Sequence, residues 1–105
     1  MMAEWIDVIQ ESEFPSTGRK AFVIDGVSIV IFKLNNDYFA IHNQCTHEDF
    51  PLDDGDIEDD LIICPRHGAK FCIRTGEVRA APAFEDVAIY PLRIENNIIQ
   101  IKLNV

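Results

Sequence analysis

Two short pairs of side chains carry the chemistry of this chain. Cys45 and His47 stand one residue apart, Cys64 and His67 two residues apart, and 16 residues separate the pairs. Thiolate and imidazole are the soft and borderline donors that hold transition metals. Two of each make a complete four-ligand inventory, and their order matters more than their number. Structural zinc sites usually pair like with like, as C-x₂₋₄-C and H-x₃₋₅-H. Here each loop offers one donor of each kind. A two-iron cluster with both thiolates on one iron and both imidazoles on the other needs that mixed order, because each loop must reach both irons. A tetrahedral Cys₂His₂ zinc site, stabilising an interaction module, uses the same residue types and is the alternative. The single residue between Cys45 and His47 would strain two ligands on one ion.

The chemistry of the mixed set is electron transfer. A [2Fe–2S] core with two ferric ions has a formal charge of plus two. Two thiolates and two neutral imidazoles bring it to zero, whereas four thiolates would leave it a dianion. A neutral site accepts an electron more readily. Potentials accordingly run from about −150 to +300 mV with two imidazoles, against about −400 mV for four-thiolate plant-type ferredoxins.

The elements that must position these loops read as all-β. Trp5–Ile9, Lys20–Ile24, Val27–Leu34, Asp37–His42 and Leu61–Ile63 are rich in β-branched and aromatic residues, as are Val87–Ile94 and Ile98–Leu103. Asp25-Gly26 is the dipeptide of a two-residue hairpin, and Asn35-Asn36 and Asn96-Asn97 mark two further turns. Thr75-Gly76 predicts the tip of a short hairpin joining Lys70–Ile73 to Glu77–Arg79. No window holds a helical period, and only a helical turn near Ser12-Glu13-Phe14 is signalled. The pattern predicts one domain over residues 1–105: an antiparallel β-sandwich or barrel base with an inserted metal-carrying subdomain over about 43–83. That stretch holds all three cysteines, together with Gly55, Gly68 and Gly76.

Composition narrows the partners. A net charge of −9 argues against nucleic acid, whose binding needs Lys and Arg against phosphate. It suits transient docking on basic patches. No apolar run approaches the roughly 20 residues of a membrane span, and Glu4 and Asp7 interrupt the N-terminus where a signal peptide would be apolar. A cytoplasmic monomer is expected. Three cysteines without a secretory signal favour metal binding over a disulfide framework.

The residues around the ligands read Cys45-Thr46-His47-Glu48-Asp49-Phe50-Pro51-Leu52 and Cys64-Pro65-Arg66-His67-Gly68-Ala69-Lys70-Phe71. Together with Arg74-Thr75-Gly76-Glu77-Val78 and Ala81-Pro82-Ala83, they resemble the Rieske-type [2Fe–2S] ferredoxins of bacterial aromatic ring-hydroxylating dioxygenase systems. The resemblance runs from Trp5 to the last strand. It implies one [2Fe–2S] cluster per chain, with Cys45 and Cys64 on the buried iron, His47 and His67 on the outer iron, and the Pro82 loop covering a third side. It also implies an electron carrier rather than an enzyme, working between a flavin-dependent NAD(P)H reductase and a terminal oxygenase. A Rieske-like small subunit of a nitrite reductase is a second alternative.

Two departures from the respiratory Rieske pattern bear on the potential. The disulfide that links the two boxes in those proteins has no counterpart, since its positions are Phe50 and Arg66. The hydroxyl-bearing positions two and four residues after the second histidine are Ala69 and Phe71. Both changes predict a potential in the lower part of the Rieske range. Gly68 is expected to supply a positive φ and a close backbone approach. Cys72 is expected to be a packed thiol and His42 a structural residue. Residues 48–60 hold eight acids, and Arg66, Lys70, Arg74 and Arg79 predict a basic second-box side. Asp53-Asp54-Gly55-Asp56 lacks the twelve-residue loop and terminal Glu of a calcium site.

Overall fold

The computed structural model describes residues 4–103. Among these the chain is all-β, with eleven strands, one 3₁₀ turn at Glu11–Glu13 and no α-helix. Strands β1 (Ile6–Gln10), β11 (Ile98–Ile101) and β10 (Leu92–Glu95) form one antiparallel sheet in that order. Strands β2 (Arg19–Ile24), β3 (Val27–Leu34), β4 (Asp37–His42) and β9 (Ile89–Tyr90) form a second. The third holds β5 (Ile57–Glu58), β6 (Leu61–Ile63), β7 (Lys70–Cys72) and β8 (Val78–Ala80).

The turns follow from residue type. Asp25 and Gly26 both have positive φ, 50° and 79°, as a type I′ hairpin requires, and they pair Ile24 with Val27. Asn96 and Asn97 repeat this at 52° and 65° between β10 and β11. One expected strand divides. Val87–Ile94 becomes β9 and β10, which belong to different sheets and meet at Pro91. Proline offers no N–H to a ladder, so the chain leaves the β4 edge there and crosses to β11.

β3 explains the layering. Ile29, Val30, Ile31 and Phe32 are each fully buried, so both faces of this strand are covered. Ile29 and Ile31 pack with Ile99 and Ile101 against the β1-β11-β10 sheet. Val30 and Phe32 point the other way and pack with Cys45, Leu52, Cys64, Phe71 and Ala83. Alternation along a strand produces this division. Burial of each such Ile or Phe contributes roughly 1.5–3 kcal/mol. The middle sheet is thus the floor under the two cysteine loops.

Gly55 shows how closely those loops sit on the β5–β8 sheet. A Cβ there would overlap the backbone carbonyl of Ile63, one residue before Cys64.

Candidate metal centre

Box one leaves the end of β4. The His42 N–H donates to Ala88 O at 2.8 Å, and the Asn43 N–H to Ser28 O at 2.9 Å, fixing where the loop starts. Asn43 then closes its neck. This buried side chain accepts from the N–H groups of Leu52 (2.7 Å) and Asp53 (2.9 Å) through Oδ1, while its Nδ2 donates to Asp53 Oδ1 at 3.1 Å. Arg19 clamps the far side by donating to the carbonyls of Asp53 and Gly55. Sequence reading missed both residues. Their types give no sign of these partners, because the partners, mostly backbone groups, are brought up by the fold.

Box two is the loop between β6 and β7. The two boxes close with the same kind of bond. The Cys45 N–H donates to Phe50 O at 2.8 Å, and the Cys64 N–H to Ala69 O at 2.7 Å. Each cysteine thus bonds the residue five positions on, although the histidine spacing differs between the boxes. Gly68 has φ 78° and its N–H donates to Cys64 O, while a Cβ there would meet nothing within 4 Å. Glycine is favoured by the left-handed turn, not by crowding from the chain.

The four donors divide into two layers. Cys45 and Cys64 are 1% and 2% exposed and lie within one apolar cluster, unlinked by a disulfide. His47 and His67 lie at the surface, with ring centroids 5.3 Å apart and planes at 82°. Burial pushes the Cys45 thiol above its ordinary value. The backbone N–H groups of Glu48 and His47, directed at its sulfur, work the other way, and Cys64 alongside raises it further. Two adjacent buried thiolates therefore need a cationic partner, which an iron–sulfur core supplies.

The same arrangement argues against one zinc ion. Tetrahedral coordination with Zn–S near 2.3 Å and Zn–N near 2.0 Å puts all four donors within about 4 Å of one another. Among the described residues, the donors that converge within 4.8 Å are those of His47, Glu48 and His67, with neither cysteine among them. The residues fit a two-iron cluster: thiolates on the inner side, imidazoles on the outer.

Glu48 lies between the boxes. One carboxylate oxygen is 3.0 Å from His67 Nε2, and the other accepts from Arg66 Nε at 2.9 Å. The hydrogen bond to His67 first, then the positive charge of Arg66, hold the Glu48 carboxyl below its usual range. Thr46 donates from Oγ1 to Glu85 O at 2.7 Å, tying box one to the loop after Pro82. In that loop Ala83 is buried with the cysteines, and Phe84 is 86% exposed.

The expected basic side of box two is corrected by the structure. Arg66 pairs with Glu48, Lys70 with Glu58, Arg74 with Asp60 and Arg79 with Glu77. Three of those acids come from the 48–60 run, which folds back over β6 and β7 and neutralises the cations. Cys72 is buried, and its thiol donates to Asp60 Oδ2 at 3.7 Å. His42 lies in β4 and is not one of the converging donors.

Comparison with known proteins agrees with this chemistry. The profile of the Rieske [2Fe-2S] domain matches residues 4–91. The anthranilate 1,2-dioxygenase ferredoxin subunit of Burkholderia cepacia is 35% identical over 104 residues, covering 99% of this chain and 94% of that protein. The solved ferredoxin of Sphingomonas yanoikuyae B1 superposes with a TM-score of 0.86 at 25% identity, over 96% of this chain and 100% of that one. Two likenesses bear on the fold alone. A chain from the complex of reduced oxygenase and oxidized ferredoxin in carbazole 1,9a-dioxygenase has a TM-score of 0.85 at 20% identity, covering 93% of this chain and 92% of that one. A putative NADH-dependent nitrite reductase small subunit from Mycobacterium tuberculosis has 0.84 at 16%, covering 100% and 99%.

Proposed function

We propose that this chain, which belongs to the Rieske [2Fe-2S] domain family, is the one-electron carrier of a multicomponent oxygenase system. It takes electrons from a flavin-dependent NAD(P)H reductase and delivers them to a terminal ring-hydroxylating oxygenase. It is a carrier and not itself an enzyme, in keeping with its 35% identical ferredoxin relative.

The observation that carries this reading is the division of the donors, with thiols buried and imidazoles at the surface 5.3 Å apart. Cys45 and Cys64 hold the inner iron, and His47 and His67 the outer one. When bound, the cluster supplies a one-electron store in the Rieske range of potential. The apolar residues Leu52, Phe71 and Ala83 keep water from the sulfur side. The two imidazoles form the face through which a partner exchanges an electron, and exposed Phe84 lies in the loop tied to that face through Thr46.

One Rieske domain spans residues 1–105, with the cluster subdomain at about 43–83. The protein works as a cytoplasmic monomer, and its charge of −9 directs it to basic docking sites and away from nucleic acid. No helix among the described residues is long and apolar enough to cross a membrane.

The test is reconstitution. The purified protein should hold two irons and two sulfides per chain. It should be reduced by NAD(P)H only through a flavoprotein reductase and reoxidised by a terminal oxygenase. A loaded protein that an oxygenase never reoxidises would favour a structural role of the nitrite-reductase-subunit kind. A colourless protein with one zinc per chain would overturn the reading.

A further inference from the structure

We propose that Glu48 is a positioning residue for the electron-transfer site, holding His67 in its ligand orientation and setting the reduction potential below the value the four ligands alone would give. This rests on the assignment of His67 as an iron ligand.

The geometry is specific. His67 Nε2 is 3.0 Å from Glu48 Oε1, so the carboxylate accepts the Nε2–H and fixes the tautomer. Nδ1 is then the unprotonated nitrogen, the one able to bind a metal. The second oxygen accepts from Arg66 Nε at 2.9 Å, which stops the carboxylate from swinging away. Glu48 follows His47 directly in box one, whereas Arg66 and His67 belong to box two. The residue beside one histidine thus holds the other.

The consequence for the potential follows from charge. An imidazole that donates its outer N–H to a carboxylate is a stronger donor to its metal. A stronger donor and a nearby negative charge both favour the oxidised site. Glu48 makes this hydrogen bond with His67 and not with His47, so the two outer ligands are electronically unequal.

Asp49 is the natural control. It is an exposed acid on the same loop, two residues from His47, and its carboxylate accepts from Gln44 Nε2 at 2.6 Å rather than from a histidine. Redox titration of the loaded wild type, Glu48→Gln, Glu48→Asp and Asp49→Asn, at one pH and ionic strength, separates bond from charge. Glu48→Gln should move the reduction equilibrium about tenfold toward the reduced form, which is 59 mV upward for a one-electron couple. Asp49→Asn should move it several-fold less. Glu48→Asp keeps the charge but draws the carboxylate back by one methylene, and it too should raise the potential. An unshifted Glu48→Asp, or equal shifts for Glu48→Gln and Asp49→Asn, would overturn the proposal. Wild-type protein that holds no iron and sulfide would instead overturn the ligand assignment, and this inference with it.

Discussion

The guanidinium of Arg66 lies over the Phe50 ring, 5.7 Å from its centroid. These are the two positions at which respiratory Rieske proteins carry the disulfide between their boxes. The boxes are therefore joined here without a covalent bond. Phe50 closes box one by accepting the Cys45 N–H, and Arg66 stands between Cys64 and His67 while also pairing with Glu48. An exposed cation–π contact contributes about 0.5–1 kcal/mol and a surface ion pair about 0–1. A disulfide typically contributes about 2–4 kcal/mol. The clasp is weaker and does not depend on redox conditions.

Removing the clasp should loosen the cluster more than the fold. Arg66→Ala loses both contacts, and Phe50→Leu loses the ring. Arg66→Ala should lower chemical stability by about 0.5–2 kcal/mol and Phe50→Leu by about 0.5–1 kcal/mol, and both should speed the decay of the visible absorbance under a chelator. An Arg66→Ala decay rate equal to wild type would show that the contact does not hold the boxes.

Asn43 should matter more to stability than any surface pair. Its Oδ1 satisfies two backbone N–H groups at the neck of box one. Asn43→Ala leaves both unpaired at a cost of about 1–3 kcal/mol each. Denaturant unfolding should show about 2–6 kcal/mol lost, with poorer cluster incorporation. A loss under about 1 kcal/mol would mean water replaces the amide.

Alkaline pH should destabilise the fold through Tyr90. Burial raises its phenol above the ordinary value. The unfolded chain therefore releases this proton at lower pH than the folded one. The stabilising contribution is complete below the unfolded pKa near 10 and is lost as pH rises through the folded value. Unfolding midpoints should fall more steeply above pH 10 in wild type than in Tyr90→Phe. Parallel curves for the two proteins would contradict this.

The candidate ligands and the hairpins were legible in the sequence because local chemistry marks them. Cys45, His47, Cys64 and His67 declare themselves by type and spacing, and Asp25-Gly26 and Asn96-Asn97 by the φ they must adopt. Other features depend on what the fold brings together. Pro91 sits inside an apolar run that reads as one strand, but it sends the two halves to different sheets. Arg66, Lys70 and Arg74 read as a basic side until the acidic run folds back over them. Glu48 is one of eight acids in the 48–60 run and stands apart only when His67 is beside it. Asn43 follows the end of β4, and nothing local shows that its partners lie nine and ten residues on.

On the proposed reading, two imidazoles, those of His47 and His67, hold one iron of the cluster. Pulsed EPR of the reduced protein, with histidine alone labelled with ¹⁵N, counts them directly. The chain has three histidines, so His42→Gln serves as the internal control. Two coupled histidine nitrogens are expected in wild type, two in His42→Gln, and one in either His47→Cys or His67→Cys. A single coupled nitrogen in wild type, none, or a loss on changing His42 would contradict it.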